Sequence, residues 1–289
     1  MNWVKGFQAT IDYMEEHLTE PVDFEQIAKQ MNLSAFYFQK IFSVLCGISP
    51  GEYIRNRRLT LAGSELLTSN RKILDIALDY GYDTQEGFTR AFTRFHGVTP
   101  GCARKNPVLL KSFSRLSVSI TMKGGFNMNC RVEEKDRFQI IAKTERFTKI
   151  ENVLGREDIP RFWLESHADG TVSYLKEHSR KNGIPSGSVV GMCCEDSTVR
   201  KDFPYSIGAE YDGGDVPEGY QLFDIPAATW LIFEMEAGLP AESIQDVWHK
   251  IFAEYFPTSD YQPSGNFDFE VYFEDASKSN QIWIAVVKK

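Results

Sequence analysis

A unit of about fifty residues occurs twice within the first hundred positions of the chain. Ile27-Ala28 recurs 49 residues later as Ile76-Ala77. Further positions recur at an offset of 50, namely Phe38, Phe42, Gly47, Pro50 and Gly51 in the first copy and Phe88, Phe92, Gly97, Pro100 and Gly101 in the second. The offset changes by one residue in a turn, where a packed pair of helices tolerates an insertion. One structural unit is therefore present in tandem, and the fold has to accommodate both copies.

The first copy is predicted to form two helices joined by a short turn. Asp23 is the predicted N-cap of a helix over 24–31, and Ser34 is the predicted N-cap of a helix over 35–46. Apolar side chains recur at spacings of three and four in the second helix, at Phe38, Ile41, Phe42 and Leu45. This spacing predicts a stripe that faces the core.

The second copy repeats the arrangement. A helix over 73–80 is predicted to end at Gly81, and Thr84 is the predicted N-cap of a helix over 85–96. The apolar stripe recurs at Phe88, Ala91, Phe92 and Phe95. The second copy therefore predicts the same packing as the first.

A single helix is predicted to connect the two units. Ser49-Pro50-Gly51-Glu52 is a capping box with proline at the first helical position, and it starts a helix that continues to about residue 68. Its length of about 28 Å follows from a rise of 1.5 Å per residue. Successive major grooves on one face of DNA lie about 34 Å apart. The geometry suits one chain that reads two adjacent grooves.

The other face of the second helix in each copy favours DNA binding. It carries small, amide, hydroxyl and basic groups: Ala35, Phe36, Gln39, Lys40 and Ser43 in the first copy and Gln85, Glu86, Thr89, Arg90 and Thr93 in the second. Such groups suit base edges in a major groove, whereas a merely solvated helix more usually carries Glu and Lys four residues apart. The alternative is an all-helical bundle in which the repeat is only a duplicated packing unit.

Charge is distributed unevenly along the chain. The net charge is −8, but residues 1–107 hold 12 basic and 12 acidic residues. Residues 26–107 hold 11 basic against 6 acidic residues, whereas the part after residue 107 holds 20 against 28. A positive stretch in the repeat suits phosphate, and the acidic remainder is not expected to bind DNA.

The repeat resembles the AraC/XylS family of regulators. The matching segments are Ile27-Ala28, 34–42 (SAFYFQKIF), 47–55 (GISPGEYIR), 73–77 (ILDIA), Tyr80-Gly81-Tyr82 and 88–100 (FTRAFTRFHGVTP). The resemblance implies that base-contact positions of the first reading helix are Phe36, Gln39 and Lys40, and that those of the second are Gln85, Glu86, Gly87, Thr89 and Arg90. Glu86 departs from the uncharged residue expected there, and it either accepts from a cytosine N4 or narrows specificity by exclusion. Promoter DNA and RNA polymerase are the implied partners.

The second half of the chain is predicted to be an α+β domain. The predicted elements are strand 131–148, helix 159–181, strands 188–195 and 205–211, strand 220–236, helix 241–255, and strands 267–274 and 281–287. This order is β-α-β-β twice. We therefore expect a multidomain protein with an all-α tandem helix-turn-helix domain over 1–107, a linker over 108–128 and a duplicated β-α-β-β domain over 129–289.

This second half resembles the GyrI-like, or Rob-type, effector-binding domain. The segments that carry the resemblance are 159–163 (IPRFW), 205–208 (YSIG), 224–228 (DIPAA), 267–272 (FDFEVY) and 282–284 (IWI). The resemblance is looser than that of the repeat, and it covers roughly 129–289. It implies a pocket for hydrophobic, often cationic small molecules with an acidic residue at its floor, and hence multidrug sensing.

Glu270 is the candidate for that acidic residue. Strand alternation sends Phe267, Phe269, Val271 and Phe273 to one face and Asp268, Glu270, Tyr272 and Glu274 to the other. Alternation alone also fits a half-buried strand with a solvated acidic face. Aromatic rings would attract a cation, and the candidates are Tyr272, Trp163, Tyr205 and Trp230, for which core packing is the alternative.

Other classes of function receive little support from the sequence. Five cysteines form no C-x-x-C pair and five histidines have no ligand spacing, so neither a metal nor a cofactor is expected. The absence of a long apolar run and of a secretory signal predicts no membrane association and residence in the cytoplasm. An enzyme is not expected. The alternatives for the C-terminal domain are a small-molecule hydrolase with a pocket glutamate as base, or a protein-interaction module without a ligand.

Overall fold

The computed structural model describes residues 3–106, 108–118, 128–148, 158–180, 188–193, 202–235, 244–273 and 278–289. The N-terminal helices are α1 (Trp3–Glu16), α2 (Phe24–Lys29), α3 (Ala35–Cys46), α4 (Pro50–Thr68), α5 (Ile73–Asp79), α6 (Gln85–His96) and α7 (Pro100–Lys105). In the described part of the chain, none of the helices has the length and apolar character that crossing a bilayer requires.

The predicted caps of the repeat are confirmed. Side-chain oxygens of Ser34, Ser49 and Thr84 accept the backbone N–H three residues on, and Asp23 caps α2 in the same way. Gly47 and Gly97 end α3 and α6 in the left-handed conformation, which glycine adopts at little cost. The connecting helix α4 covers the predicted residues 50–68. Local signals therefore set the limits of these helices.

The two units differ in what surrounds their cores. Phe88 and Phe92 of α6 are fully buried in a cluster formed by α4, α5, α6 and α7, against which Val108 and Leu110 also pack. Phe38 and Phe42 of α3 are also fully buried, but their cluster continues into the C-terminal domain. The first unit therefore shares a hydrophobic core with the C-terminal domain, whereas the second unit has a core of its own.

The C-terminal domain is built on one antiparallel sheet. Its strands are β1 (Cys130–Lys135), β2 (Phe138–Thr148), β3 (Val189–Cys193), β4 (Asp202–Glu210), β5 (Gln221–Ile225), β6 (Ala228–Glu234), β7 (Tyr261–Tyr272) and β8 (Gln281–Lys288). Their order across the sheet is β1-β6-β8-β7-β3-β4-β2-β5. If β1–β4 are exchanged with β5–β8 in the same sequence, the order is the same when the sheet is read from its other edge. The duplicated β-α-β-β arrangement is therefore confirmed, and its two halves are related by a pseudo-twofold axis between β3 and β7.

Two of the predicted strands bend once in the structure. The bends separate β1 from β2 at Asp136-Arg137 and β5 from β6 at Pro226-Ala227. Residues 130–135 pair with 228–233 and residues 138–142 pair with 221–225, so one register runs through both bends. Proline lacks the N–H that a continuous ladder needs, which explains a break at Pro226.

The helices of this domain cover one face of the sheet. They are α8 (Asp158–Ala168), α9 (Thr171–Glu177) and α10 (Ile244–Lys250), the last continuing through a π-helical turn, Ile251–Tyr255, and a short helix α11 (Phe256–Thr258). Gly170, at φ +87°, divides the predicted helix 159–181 into α8 and α9. Side chains on the opposite face, including Phe269, Val271 and Trp230, form a separate cluster.

The first unit of the repeat packs against α10, the π-helical turn and β7. The Trp3 indole donates to the carbonyl of Phe252 at 3.1 Å and stacks on the Phe252 ring. The Ser34 hydroxyl donates to the carbonyl of Gly265 at 3.2 Å. Gly265 has φ +82° within a bulge of β7, and a β-carbon at this position would lie 3.4 Å from Leu33. The two domains are thus in direct contact through α1 and α3.

The predicted linker begins as a docked segment. Residues 108–118 have no helix or strand but are held by the N-terminal helices. The N–H of Phe113 donates to the Thr60 hydroxyl at 2.9 Å, and the N–H of Val118 donates to Gln8 Oε1 at 2.8 Å. Residues 119–127 lie outside the described residues, and the domain limits stay predictions.

Candidate DNA-reading helices and effector site

The predicted reading face of α6 is open to solvent. Gln85, Glu86 and Arg90 are exposed, and Thr89 is half-buried. The opposite side of the helix is fixed by Phe88 and the other buried rings of the second unit. A rigid helix with an exposed polar face is the geometry that base readout in a groove requires.

The corresponding face of α3 is covered instead. Phe36 is half-buried and packs against the C-terminal cluster that includes Tyr205 and Trp163. The Lys40 side chain is 10% exposed and forms an ion pair of 2.7 Å with Asp268 on β7. Gln39 is half-buried, and its amide donates to the carbonyl of Ala35 at 3.2 Å. This face points away from its own helix pair, as predicted, but the C-terminal domain packs on it.

Lys40 also lies over an aromatic ring. Its ammonium is 4.0 Å from the centre of the Trp248 ring, a cation–π distance. Burial opposes the charged form of Lys40, but the negative charge of Asp268, with a further contribution from Glu270, raises its pKa above the ordinary value. The amine is therefore held as a buried cation between a carboxylate and an indole.

Glu270 lies on the same face of β7 and is surrounded by donors. Its Oε1 accepts the indole N–H of Trp248 at 2.8 Å, and its Oε2 accepts the hydroxyls of Tyr272 at 3.1 Å and Tyr205 at 3.3 Å. The indole N–H of Trp163 donates to the Tyr205 hydroxyl at 3.0 Å. We call these five residues the Glu270 site. Together they place one carboxylate among four aromatic side chains.

The electrostatics of the site follow from burial. Desolvation raises the pKa of Glu270, and the nearby positive charge of Lys40 and the N–H of Trp248 oppose that rise. Burial also raises the pKa of Tyr205 and Tyr272 well above the ordinary value, so both phenols stay protonated donors. A group with positive charge stabilises such a carboxylate in water-poor surroundings.

Four of the five predicted ligand-binding residues come together here, and one does not. Glu270, Tyr272, Trp163 and Tyr205 form a single network, with Trp163 and Tyr272 in an edge-on contact at 5.1 Å. Trp230 stacks on Phe269 at 5.1 Å, on the opposite face of the sheet. Strand alternation explains the separation, because Phe269 and Glu270 are adjacent in β7 and point to opposite faces.

Sequence reasoning missed three other members of this region. Trp248 lies in a helix that was predicted, but no spacing links it to Glu270. Asp268 was placed on the correct face of the strand without a role. Gly191, opposite Glu270 on β3, carries no chemistry of its own. Only the i, i+2 spacing of Asp268 and Glu270 was a usable signal.

Gly191 provides the space that Tyr205 occupies. A β-carbon at this position would come within 2.0 Å of the Tyr205 hydroxyl oxygen and 3.3 Å of the Trp163 ring. Gly191→Ala is therefore expected to displace the phenol from Glu270 and to lower the free energy of unfolding by about 1–3 kcal/mol. Urea denaturation measures the loss. Gly101→Ala is the matched control, because a β-carbon there meets nothing within 4 Å; equal losses for the two variants would contradict this account.

Two protein-family models match the chain. A model described as a helix-turn-helix domain matches residues 27–106. A model described as an integron-associated effector binding protein matches residues 131–286, which include every member of the Glu270 site. The first match lies in the N-terminal helices and the second in the C-terminal sheet domain.

The relatives in sequence match the N-terminal part. The regulatory protein SoxS from Salmonella typhimurium is 42% identical over 93 residues, which cover 32% of this chain and 87% of SoxS. YbfP from Bacillus subtilis, an uncharacterized HTH-type transcriptional regulator, is 40% identical over 104 residues. These cover 36% of this chain and 35% of YbfP, so the chain spans about a third of that relative's length.

Solved structures are similar to the C-terminal part. SAV2435, solved with tetraphenylphosphonium bound, is 16% identical with a TM-score of 0.45, and the match covers 55% of this chain and 94% of that one. An integron cassette protein from the mobile metagenome of Vibrio cholerae is also 16% identical, with a TM-score of 0.38, covering 55% of this chain and 95% of the other.

Proposed function

Because the chain belongs to the family of integron-associated effector binding proteins and carries an AraC-type helix-turn-helix domain, we propose that it is a transcription regulator that responds to a small molecule. The N-terminal domain binds promoter DNA through α3 and α6. The C-terminal domain binds an amphipathic organic cation at the Glu270 site. RNA polymerase is the partner through which such a regulator acts, and the cytoplasm is where it meets both. The relatives named above are regulatory proteins, and we assign the chain no catalytic reaction.

The observation that carries the cationic ligand is the surroundings of Glu270. Its carboxylate accepts three hydrogen bonds from aromatic side chains, and Asp268 adds a second acid on the same strand face. The rings supply apolar surface and cation–π attraction, whereas the acids favour positive charge. A hydrophobic cation satisfies both, and neither a hydrophobic anion nor a small inorganic cation does.

A pair of ligands with one shape and opposite charge tests this proposal. Tetraphenylphosphonium and tetraphenylborate both present four phenyl rings around a central atom. Calorimetry on the full-length chain is expected to show much tighter binding of the phosphonium than of the borate, and the phosphonium is expected to quench the fluorescence of Trp163 and Trp248. Binding of both ions with similar affinity would mean that the acids do not select charge, and binding of neither would remove the proposal.

Arg90 is the exposed basic residue through which we test DNA reading. Arg90→Ala is expected to weaken binding by about 1–3 kcal/mol and to relax the preference at one base pair, because an arginine that binds guanine O6 and N7 discriminates by this amount. Selection from a random duplex library, followed by footprinting, measures both effects. Arg161→Ala removes an exposed arginine from α8 and is the control. A uniform loss across sequences, with a salt slope lower by about one, would show that Arg90 contacts phosphate only.

A further inference from the structure

One buried contact joins the two proposed sites. Lys40 lies on the face of α3 that was predicted to contact bases, yet its ammonium is 2.7 Å from Asp268 and 4.0 Å from the centre of the Trp248 ring. Asp268 is 4% exposed, so the pair is withdrawn from solvent. We call Lys40, Asp268 and Trp248 the Lys40 latch.

The partners of Lys40 are those that an organic cation would use. Trp248 contributes its ring to Lys40 and its N–H to Glu270 at 2.8 Å, so the latch and the Glu270 site share one side chain. Asp268 and Glu270 are two residues apart on one face of β7. A cation bound against Trp248 and these acids would occupy the position that the Lys40 ammonium holds, because two positive charges cannot share the same ring and carboxylate without mutual repulsion.

The rest of the α3 face is held by the same domain. Phe36 packs against the cluster that contains Tyr205 and Trp163, and the cap residue Ser34 donates to the carbonyl of Gly265. A base edge or phosphate cannot reach Lys40 or Phe36 while these contacts persist. On α6, by contrast, Arg90 is exposed. In this structure α6 is therefore accessible to DNA, whereas α3 is not.

We infer that Lys40 is an internal ligand of the effector site, and that an effector cation displaces it and releases α3 for DNA. This inference rests on the proposed function and adds the direction of its regulation: the effector strengthens DNA binding by the first helix-turn-helix unit. Coupling between two sites is reciprocal, so DNA strengthens effector binding by the same factor. Without effector, α3 is free in only a fraction of the molecules. The apparent Kd for DNA is then the intrinsic Kd divided by that fraction.

Lysine acylation on the full-length chain tests the displacement. Lys40 is expected to resist acetic anhydride without ligand, and saturating tetraphenylphosphonium is expected to raise its labelling at least tenfold, as measured by mass spectrometry. Lys72 is exposed and serves as the internal reference. If the phosphonium binds and Lys40 stays protected, the inference is wrong and the proposed function stands. If calorimetry shows no binding of the phosphonium, both are wrong.

A variant tests the consequence for DNA without any ligand. Asp268→Asn removes the anion that holds Lys40 and leaves α3 unchanged. On a duplex selected by the full-length protein from a random library, this variant is expected to bind DNA about tenfold more tightly than wild type, and the phosphonium is expected to add little more. Asp224→Asn is the matched control, because it makes the same charge change in the same domain at an exposed ion pair with Arg137. An equal gain in DNA affinity for both variants would show that the effect comes from the change in net charge, and the inference would be wrong.

Discussion

Truncation of Trp248 to alanine is expected to lower the free energy of unfolding by about 3–5 kcal/mol, the usual loss for a large aromatic residue in a core. Trp248 is 1% exposed and stacks on Phe252 with ring centres 5.7 Å apart. It lies where α10, α3 and β7 meet, and it donates to Glu270. The variant therefore loses packing between the two domains and also leaves a half-buried carboxylate with one donor fewer. Urea denaturation of the full-length chain, followed by circular dichroism, measures the loss.

Trp230→Ala is the matched control for that experiment. Trp230 is also fully buried, but it lies on the other face of the sheet, where its N–H has no partner among the described residues. Both truncations should cost similar stability. Only the change at Trp248 should expose Lys40 to acylation, because only that indole contacts the ammonium. Equal labelling of Lys40 in the two variants would mean that the interface responds to general loosening rather than to the missing ring.

Local signals were sufficient for the elements of the repeat. Capping side chains and glycines define α3 and α6, because a helix end is decided by the few residues around it. Apolar spacing identified the buried stripe of each helix. The same method could have found α1, since Trp3, Phe7, Ile11, Met14 and Leu18 recur at intervals of three and four and all are buried.

The domain contact could not be predicted in this way. The spacing of apolar residues distinguishes the helix face that packs within its own unit from the faces that do not. It does not show which of those other faces a second domain covers. Lys40 was therefore predicted to face DNA, although Asp268, 228 positions away, pairs with its charge. Trp230 was a candidate for the pocket, with core packing as the alternative, and its stacking on Phe269 shows that it faces the other way. Charge pairing and register over long sequence separations are properties of the fold.

The clustering at Glu270 was partly foreseeable for a physical reason. Alternation along β7 fixed which residues share its face, and the family resemblance selected Glu270 among them. Tyr205 reaches the carboxylate, and Trp163 reaches the Tyr205 hydroxyl, because β3 carries glycine at position 191, which leaves room for a phenol. A position defined by a missing side chain gives no signal of its own in a single sequence.

Glu270→Gln is expected to weaken tetraphenylphosphonium binding by about 1.5–3 kcal/mol, the scale for losing a charge-assisted partner. The glutamine side chain keeps the shape, and its amide oxygen can still accept from the Trp248 indole, but the negative charge is gone. Tetraphenylborate, which the wild-type acids repel, should not lose affinity and should gain some. Calorimetry with both ions on wild type and variant gives the ratio of affinities, and that ratio reports charge selection separately from shape.

A second buried glutamate supplies the control for this change. Glu210 on β4 is 5% exposed and lies 3.5 Å from Arg180. It is not a member of the Glu270 site. Glu210→Gln makes the same substitution in the same sheet, and it is expected to leave the ratio of phosphonium to borate affinity unchanged. If the two variants shift this ratio equally, the selection of cations arises from the overall negative charge of the domain. If Glu270→Gln reduces binding of both ions alike, Glu270 holds the aromatic side chains in place and does not recognise charge.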